Sequence, residues 1–252
     1  MASTSDTATA HTWVHPECRP ENIEKLISDV DRYNPQNRTV LVEYLNAQLK
    51  NGTYDALPNL AILKLFQLNP SEFDLDVAVN ILVKALTAAP FPDFSLCISL
   101  LGEAPVKTLS SNDAALSTGA AGIITEPIIV HLATLSTFLF ETKFRDFWAL
   151  YNSGDFADVR KYTANAAGFE EDVRKVVLNS VKGTFRTISE ARIGGYLNLQ
   201  GADLAKFINE QPGWELSNGT VTVPANIDNE VKPTVTREEI SLENLSKLLA
   251  QA

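Results

Sequence analysis

Few residues here have the chemistry to bind a metal or activate a substrate. His11, His15 and Cys18 stand in an H-x3-H-x2-C spacing that could supply three zinc ligands. A closed structural zinc site takes four, and no fourth is evident. Pro16 also interrupts any helix that would set the two histidines on one face. The third histidine, His131, lies in the apolar run 128–135, the setting of a packed boundary residue rather than a general base. Cys97 sits among Leu96, Ile98 and Leu100, where a small buried hydrophobe is expected, not a nucleophile. The sequence holds no G-x-S-x-G elbow, no Walker loop and no G-x-G-x-x-G. Glu170, Glu171 and Asp172 fall in the first turn of an expected helix, where carboxylates complement the macrodipole. The sequence is therefore read as a non-enzyme, with no catalytic, metal or cofactor site.

The 252 residues are 45% hydrophobic and 21% charged, the composition of a soluble globular chain. No stretch approaches 18 consecutive apolar residues, so no membrane span is expected. The first residues lack both a basic and an apolar signal-peptide region. With only two cysteines and no leader, a reducing, cytoplasmic setting is expected. The N-x-[ST] sequons at Asn37, Asn51, Asn218 and Asn244 should then stay unmodified. The net charge of −10 argues against sequence-independent nucleic-acid binding, which needs clustered cations.

Helical patterning fills the first two thirds. Residues 1–20 are small, polar and aperiodic and read as a mobile tail. Ile23, Leu26, Ile27 and Val30 then make an amphipathic stripe. Asn34-Pro35 opens a second helix, with Asn51-Gly52 as its stop. Asp55 opens a third, closed by Asn69-Pro70. Ser71 with Asp74 suggests a capping box for a fourth, ended by Pro90, and Pro92 starts a fifth. Short connections imply antiparallel neighbours in a small helical-repeat array. Residues 102–126 break the rhythm and read as a flexible insertion. Helical pattern resumes at Pro127 and continues through Trp148 to Gly154.

The last third changes character. A helix through Phe169 and Val177 is followed by one from Glu190 to Leu197 and another over 202–210. Trp214-Glu-Leu216 and Thr220-Val-Thr-Val223 then flank Ser217-Asn218-Gly219, a strong hairpin signal. Three helices and a hairpin give the order of a winged helix. Its recognition segment carries one cation, Lys206, against Asp203 and Glu210, a poor match for a phosphate backbone. Presenting a sheet edge to another protein suits it better. An extended run at 234–240 leads to a last helix with Leu242, Leu245 and Leu249 in a stripe. Val221, Val223, Leu242, Leu245 and Leu249 are the candidate protein interface. The boundaries expected are a tail at 1–20, a helical domain at 21–163, a winged helix at 164–240 and a terminal helix at 241–252.

Several separate blocks carry a family resemblance. Asp31-Arg-Tyr-Asn-Pro35, Tyr54-Asp55, Asn59 to Pro70 and Leu82 to Thr87 resemble the subunit k family of eukaryotic translation initiation factor 3. So do Asp93 to Cys97, Phe144 to Trp148, Gly168 to Arg174 and, more weakly, Gly213-Trp214 onward. The resemblance implies a mainly α fold, in which a HEAT-like helical-repeat domain precedes a PCI-related winged helix with a small antiparallel sheet. It implies a non-catalytic adaptor whose partners are the other factor 3 subunits, especially subunit l. The small ribosomal subunit would be reached through the complex, direct RNA contact being left open. The tail before Glu21 and the 102–126 insertion look longer than the family pattern. Gly194-Gly195 stand where better helix formers are usual, at up to about 1 kcal/mol each. A PCI-like scaffold of the proteasome lid or signalosome, and a nucleic-acid-binding winged helix, are the alternative readings.

Overall fold

The computed structural model describes residues 15–102 and 126–230. The chain enters through Pro16–Arg19, a turn closed by the Arg19 N–H on the Pro16 carbonyl at 3.0 Å. Helix α1, Glu21–Ser28, buries Ile23 and Ile27. Asn34 accepts from the Gln36 N–H at 3.0 Å, and Pro35 begins a 3-10 turn that runs into α2, Arg38–Asn51. Helix α3, Ala56–Leu68, follows, then α4, Leu75–Leu86, and α5, Asp93–Gly102. Helix α4 is the hub. It packs on α2 and α5 and also on α6, Pro127–Phe140, and α8, Ala157–Ala164. Nine of its residues are buried as a result. Between α6 and α8 lies α7, Phe144–Tyr151, whose Phe144, Phe147, Trp148 and Tyr151 all face inward.

Helix α9, Phe169–Thr184, leads into the smaller unit: strand β1, Thr187–Ser189, helix α10, Glu190–Leu197, and helix α11, Gly201–Asn209. The hairpin of β2, Glu215–Ser217, and β3, Thr220–Thr222, completes it. The three strands form one antiparallel sheet in the order β1-β3-β2. The fold is thus mainly helical with a small antiparallel sheet, as expected. Among the described residues no helix is long and apolar enough to cross a membrane.

Several local expectations are corrected. Val30 does not continue the α1 stripe: it follows the end of the helix and is 80% exposed. The α4 cap is Asp74 itself, accepting from the N–H groups of Asp76 and Val77 at 3.1 and 3.3 Å, with Ser71 in a preceding 3-10 turn. The run from Pro127 to Gly154 is two helices, because Thr142 adopts φ 58° between them. Helix α8 and strand β1 have no counterpart in the sequence reading. Arg19, assigned to the tail, is an interior residue with its side chain 2% exposed. Residues 1–14, 103–125 and 231–252 lie outside the described residues, and with them the insertion, the 234–240 run and the terminal helix.

The two cysteines differ in a measurable way. Cys97 is buried on α5, and burial pushes its thiol up to about 12, whereas Cys18 is exposed. A thiol reagent at mildly alkaline pH is expected to label one cysteine per native chain and the second only after denaturation. Equal labelling rates for both would contradict the burial of α5.

Candidate protein-docking surface

The sheet is built from its turn outward. Asn218 and Gly219 hold φ 50° and 73°, the two left-handed residues of a tight hairpin turn. A turn of two residues makes Ser217 and Thr220 the hydrogen-bonded pair. Alternation then directs the Leu216 N–H and C=O away from β3, toward the side of β2 that pairs with no strand among the described residues. Strand β3 is central instead. Val221 lies opposite Leu216 on one side and Ile188 on the other, and the Val223 N–H donates to the Arg186 carbonyl at 2.9 Å.

This arrangement sorts the five candidate interface residues. Val221 and Val223 are buried, 0% and 1% exposed, so their side chains belong to the winged-helix core. The residues on the open edge are Glu215, Leu216 and Ser217, with Leu216 half-buried and its neighbours exposed. The period-2 pattern of 220–223 showed which residues alternate. It could not show that a third strand, β1, closes the far side of β3. Leu242, Leu245 and Leu249 lie outside the described residues.

Two glycines in α10 set how closely the winged helix packs. A Cβ on Gly194 would lie 2.9 Å from the Leu199 carbonyl oxygen and 3.2 Å from Leu204 Cδ2, so only glycine lets α10 and the turn to α11 approach this closely. A Cβ on Gly195 would meet only the far end of the Arg145 side chain, at 2.8 Å from Nε, which can swing aside. Gly194→Ala is therefore expected to lose about 1–2 kcal/mol, overpacking outweighing the gain in helix propensity. Gly195→Ala should be neutral or slightly stabilising. Urea unfolding of the pair checks this, and equal effects would contradict it.

The chemistry around the site is spare. The exposed face of α11 carries Asp203 and Lys206, and Glu210 follows immediately, so the recognition position of a DNA-reading winged helix is not basic here. His131 stacks on Phe156 with ring centroids 4.3 Å apart. His15 Nδ1 lies 3.2 Å from Glu24, Cys18 Sγ lies 4.0 Å from the Tyr44 hydroxyl, and His11 is outside the described residues. No group of three or more metal-ligating side chains occurs among the described residues. Glu170, Glu171 and Asp172 stand in the first turn of α9, and each also pairs with Arg174 or Lys175.

A helical array followed by a winged helix with a small antiparallel sheet defines a PCI-related fold. The comparisons place the chain within that class. The profile of the CSN8/PSMD8/EIF3K family matches residues 72–235, and the chain belongs to this family, in its translation initiation factor 3 subunit K branch. It is 53% identical to the "Eukaryotic translation initiation factor 3 subunit K" of Mycosarcoma maydis, over 98% of this chain and 97% of that one. The proteins of the same name from Aspergillus oryzae and Sclerotinia sclerotiorum are 39% and 37% identical. Those alignments cover 92% and 93% of this chain and 94% of each relative.

Proposed function

We propose that this protein is a non-catalytic subunit of translation initiation factor 3, acting in the cytoplasm as a protein–protein adaptor during initiation on the small ribosomal subunit. The observation that carries the reading is the 53% identity to a subunit K over nearly the full length of both chains. The geometry supports an adaptor. The outward N–H and C=O of Leu216 offer a partner strand one rung of a ladder, with Val221 and Val223 backing it from the core. Leu242, Leu245 and Leu249 would add a helical contact, and subunit l is the neighbour expected. The non-basic α11 favours protein over nucleic acid as the partner.

Affinity purification of the tagged full chain at near-physiological salt tests this. Co-elution of the other factor 3 subunits, subunit l most abundant, is expected. Leu216→Pro, which removes the outward donor, should weaken recovery of a subunit docked on the edge, and Leu245→Glu with Leu249→Glu one docked on the terminal helix. Recovery of proteasome-lid or signalosome subunits instead would overturn the factor 3 reading.

A further inference from the structure

Helix α3 is apolar nearly all round, Ala-Leu-Pro-Asn-Leu-Ala-Ile-Leu-Lys-Leu-Phe-Gln-Leu, and such a helix is normally enclosed on every side. Among the described residues one side of this one is only partly covered, by α1 and the 3-10 turn Val30–Tyr33. Asn59, Ile62, Leu63, Leu65 and Phe66 face the core, while Leu57, Leu60, Ala61 and Lys64 fall on another face at i, i+3, i+4 and i+7 and are only half-buried. Those four line a groove of about 420 Å³. Ile27 of α1 and Tyr33 form its opposite wall, and Leu100, near the end of α5, lines it as well. Tyr33 is 43% exposed, and Leu96, one turn before Leu100, is 41% exposed. The volume lies within the usual range of about 300–1,000 Å³ for binding pockets. A stripe at i, i+3, i+4 and i+7 is the ridge pattern that receives another helix.

The charge around the groove says what kind of helix. Its cations include Arg32 and Lys64. Arg32 donates to the Ile27 carbonyl and lies over the Tyr33 ring, and Lys64 bonds the neutral Gln67 amide. The one carboxylate among the groove's described lining residues, Glu24, is held by Arg19 at 2.7 Å, and that guanidinium keeps its carboxyl below the usual range. In a chain of net charge −10, a lining with Arg32 and Lys64 against the paired Glu24 is locally cationic, with the exposed Asp29 and Asp31 near Arg32 in sequence but not among the lining residues.

We propose that this groove docks an amphipathic helix of a partner protein, which inserts aliphatic residues at i, i+3, i+4 and i+7 and sets flanking Asp or Glu against Arg32 and Lys64. The surface lies on the helical array, apart from the β2 edge, and the inference is independent of which assembly the protein joins.

The test uses the full chain and two labelled synthetic helices, with leucines at i, i+3, i+4 and i+7 and either glutamates or lysines at the flanking positions. Fluorescence polarisation is expected to show the glutamate peptide binding about fivefold tighter, two exposed ion pairs being worth that much. Arg32→Glu with Lys64→Glu, the first exposed and the second half-buried, should reverse the preference without loss of the native circular-dichroism melt. Leu60→Ser should weaken both peptides about tenfold. Equal affinity for the two peptides overturns the proposal, as does no binding by the full chain, which would mean that its own residues fill the groove. Self-association in sedimentation that Leu60→Ser abolishes would assign the groove to a second copy and also overturn it.

Discussion

Asp55→Ala is expected to lower the free energy of unfolding by about 3–5 kcal/mol, the cost of stranding the partner of a buried ion pair. Its side chain is 0% exposed and accepts from Arg19 twice, at 2.7 and 2.8 Å, in the forked geometry that guanidinium and carboxylate share. The Tyr44 hydroxyl donates to the same carboxylate at 3.1 Å. Truncation leaves the Arg19 guanidinium with Glu24 alone and a buried tyrosine hydroxyl with less to bind. The loss also frees residues 15–20 from α2 and α3, so limited proteolysis should cut nearer Glu21 in the variant than in the parent. The double variant Arg19→Met with Asp55→Leu separates pairing from packing. It should recover most of the loss, since an apolar pair of similar bulk removes both stranded groups. Additive losses across that cycle, measured by urea unfolding, would show that the two side chains do not act as a unit.

The same residue shows where sequence reasoning reaches and where it stops. Asp55 was legible as the start of a helix, and it does occupy the position before Ala56, yet its side chain caps nothing. Periodicity finds apolar stripes and assigns polar residues to water. It therefore passes over Gln48, Asn59 and Lys84, which are 0%, 1% and 1% exposed. Gln48 and Asn59 bond each other at 3.1 and 3.2 Å, and the Gln48 side-chain Oε1 accepts from the Asp55 N–H at 2.9 Å, so the α2–α3 turn is fixed by a polar network. The helix starts at Pro35 and Pro127 and the Asn218-Gly219 turn were legible because their cause is local. Helix α8, with four charged residues or tyrosines in ADVRKYTA and only Val159 and Thr163 buried, had too thin a stripe to register. At the docking surface the hairpin was visible but the order of its sheet was not. Which strand is central depends on Thr187–Ser189, a segment too short to show a period of its own. The side chains of Val221 and Val223 were the conspicuous apolar pair, and conspicuous apolar pairs in a strand are usually core.

Trp148→Ala is expected to cost about 3–5 kcal/mol, as large aromatic truncations in cores do, and to loosen the winged helix more than the helical array. The indole is 3% exposed and packs edge-on against Phe147 and Tyr151, at 5.1 and 5.9 Å between centroids. Its Nε1–H donates to the Tyr196 carbonyl at 2.8 Å. Arg174, whose guanidinium lies 5.5 Å over the indole ring, donates from Nε to the Leu197 carbonyl at 3.1 Å. Tyr196 and Leu197 are the last residues of α10, and carbonyls there have no partner within the helix. The end of α10 is thus capped by a side chain from α7, in the helical array, and by one from α9, the first helix of the winged helix. Trp148→Phe keeps a ring but leaves the Tyr196 carbonyl without its donor, and should cost about 1–3 kcal/mol. Hydrogen exchange distinguishes a seam from ordinary core. In both variants the amides of α10 and α11 should exchange faster by a larger factor than those of α2 to α4. Uniform acceleration across all helices would mean that Trp148 stabilises the chain as a whole and is not the joint between its two parts.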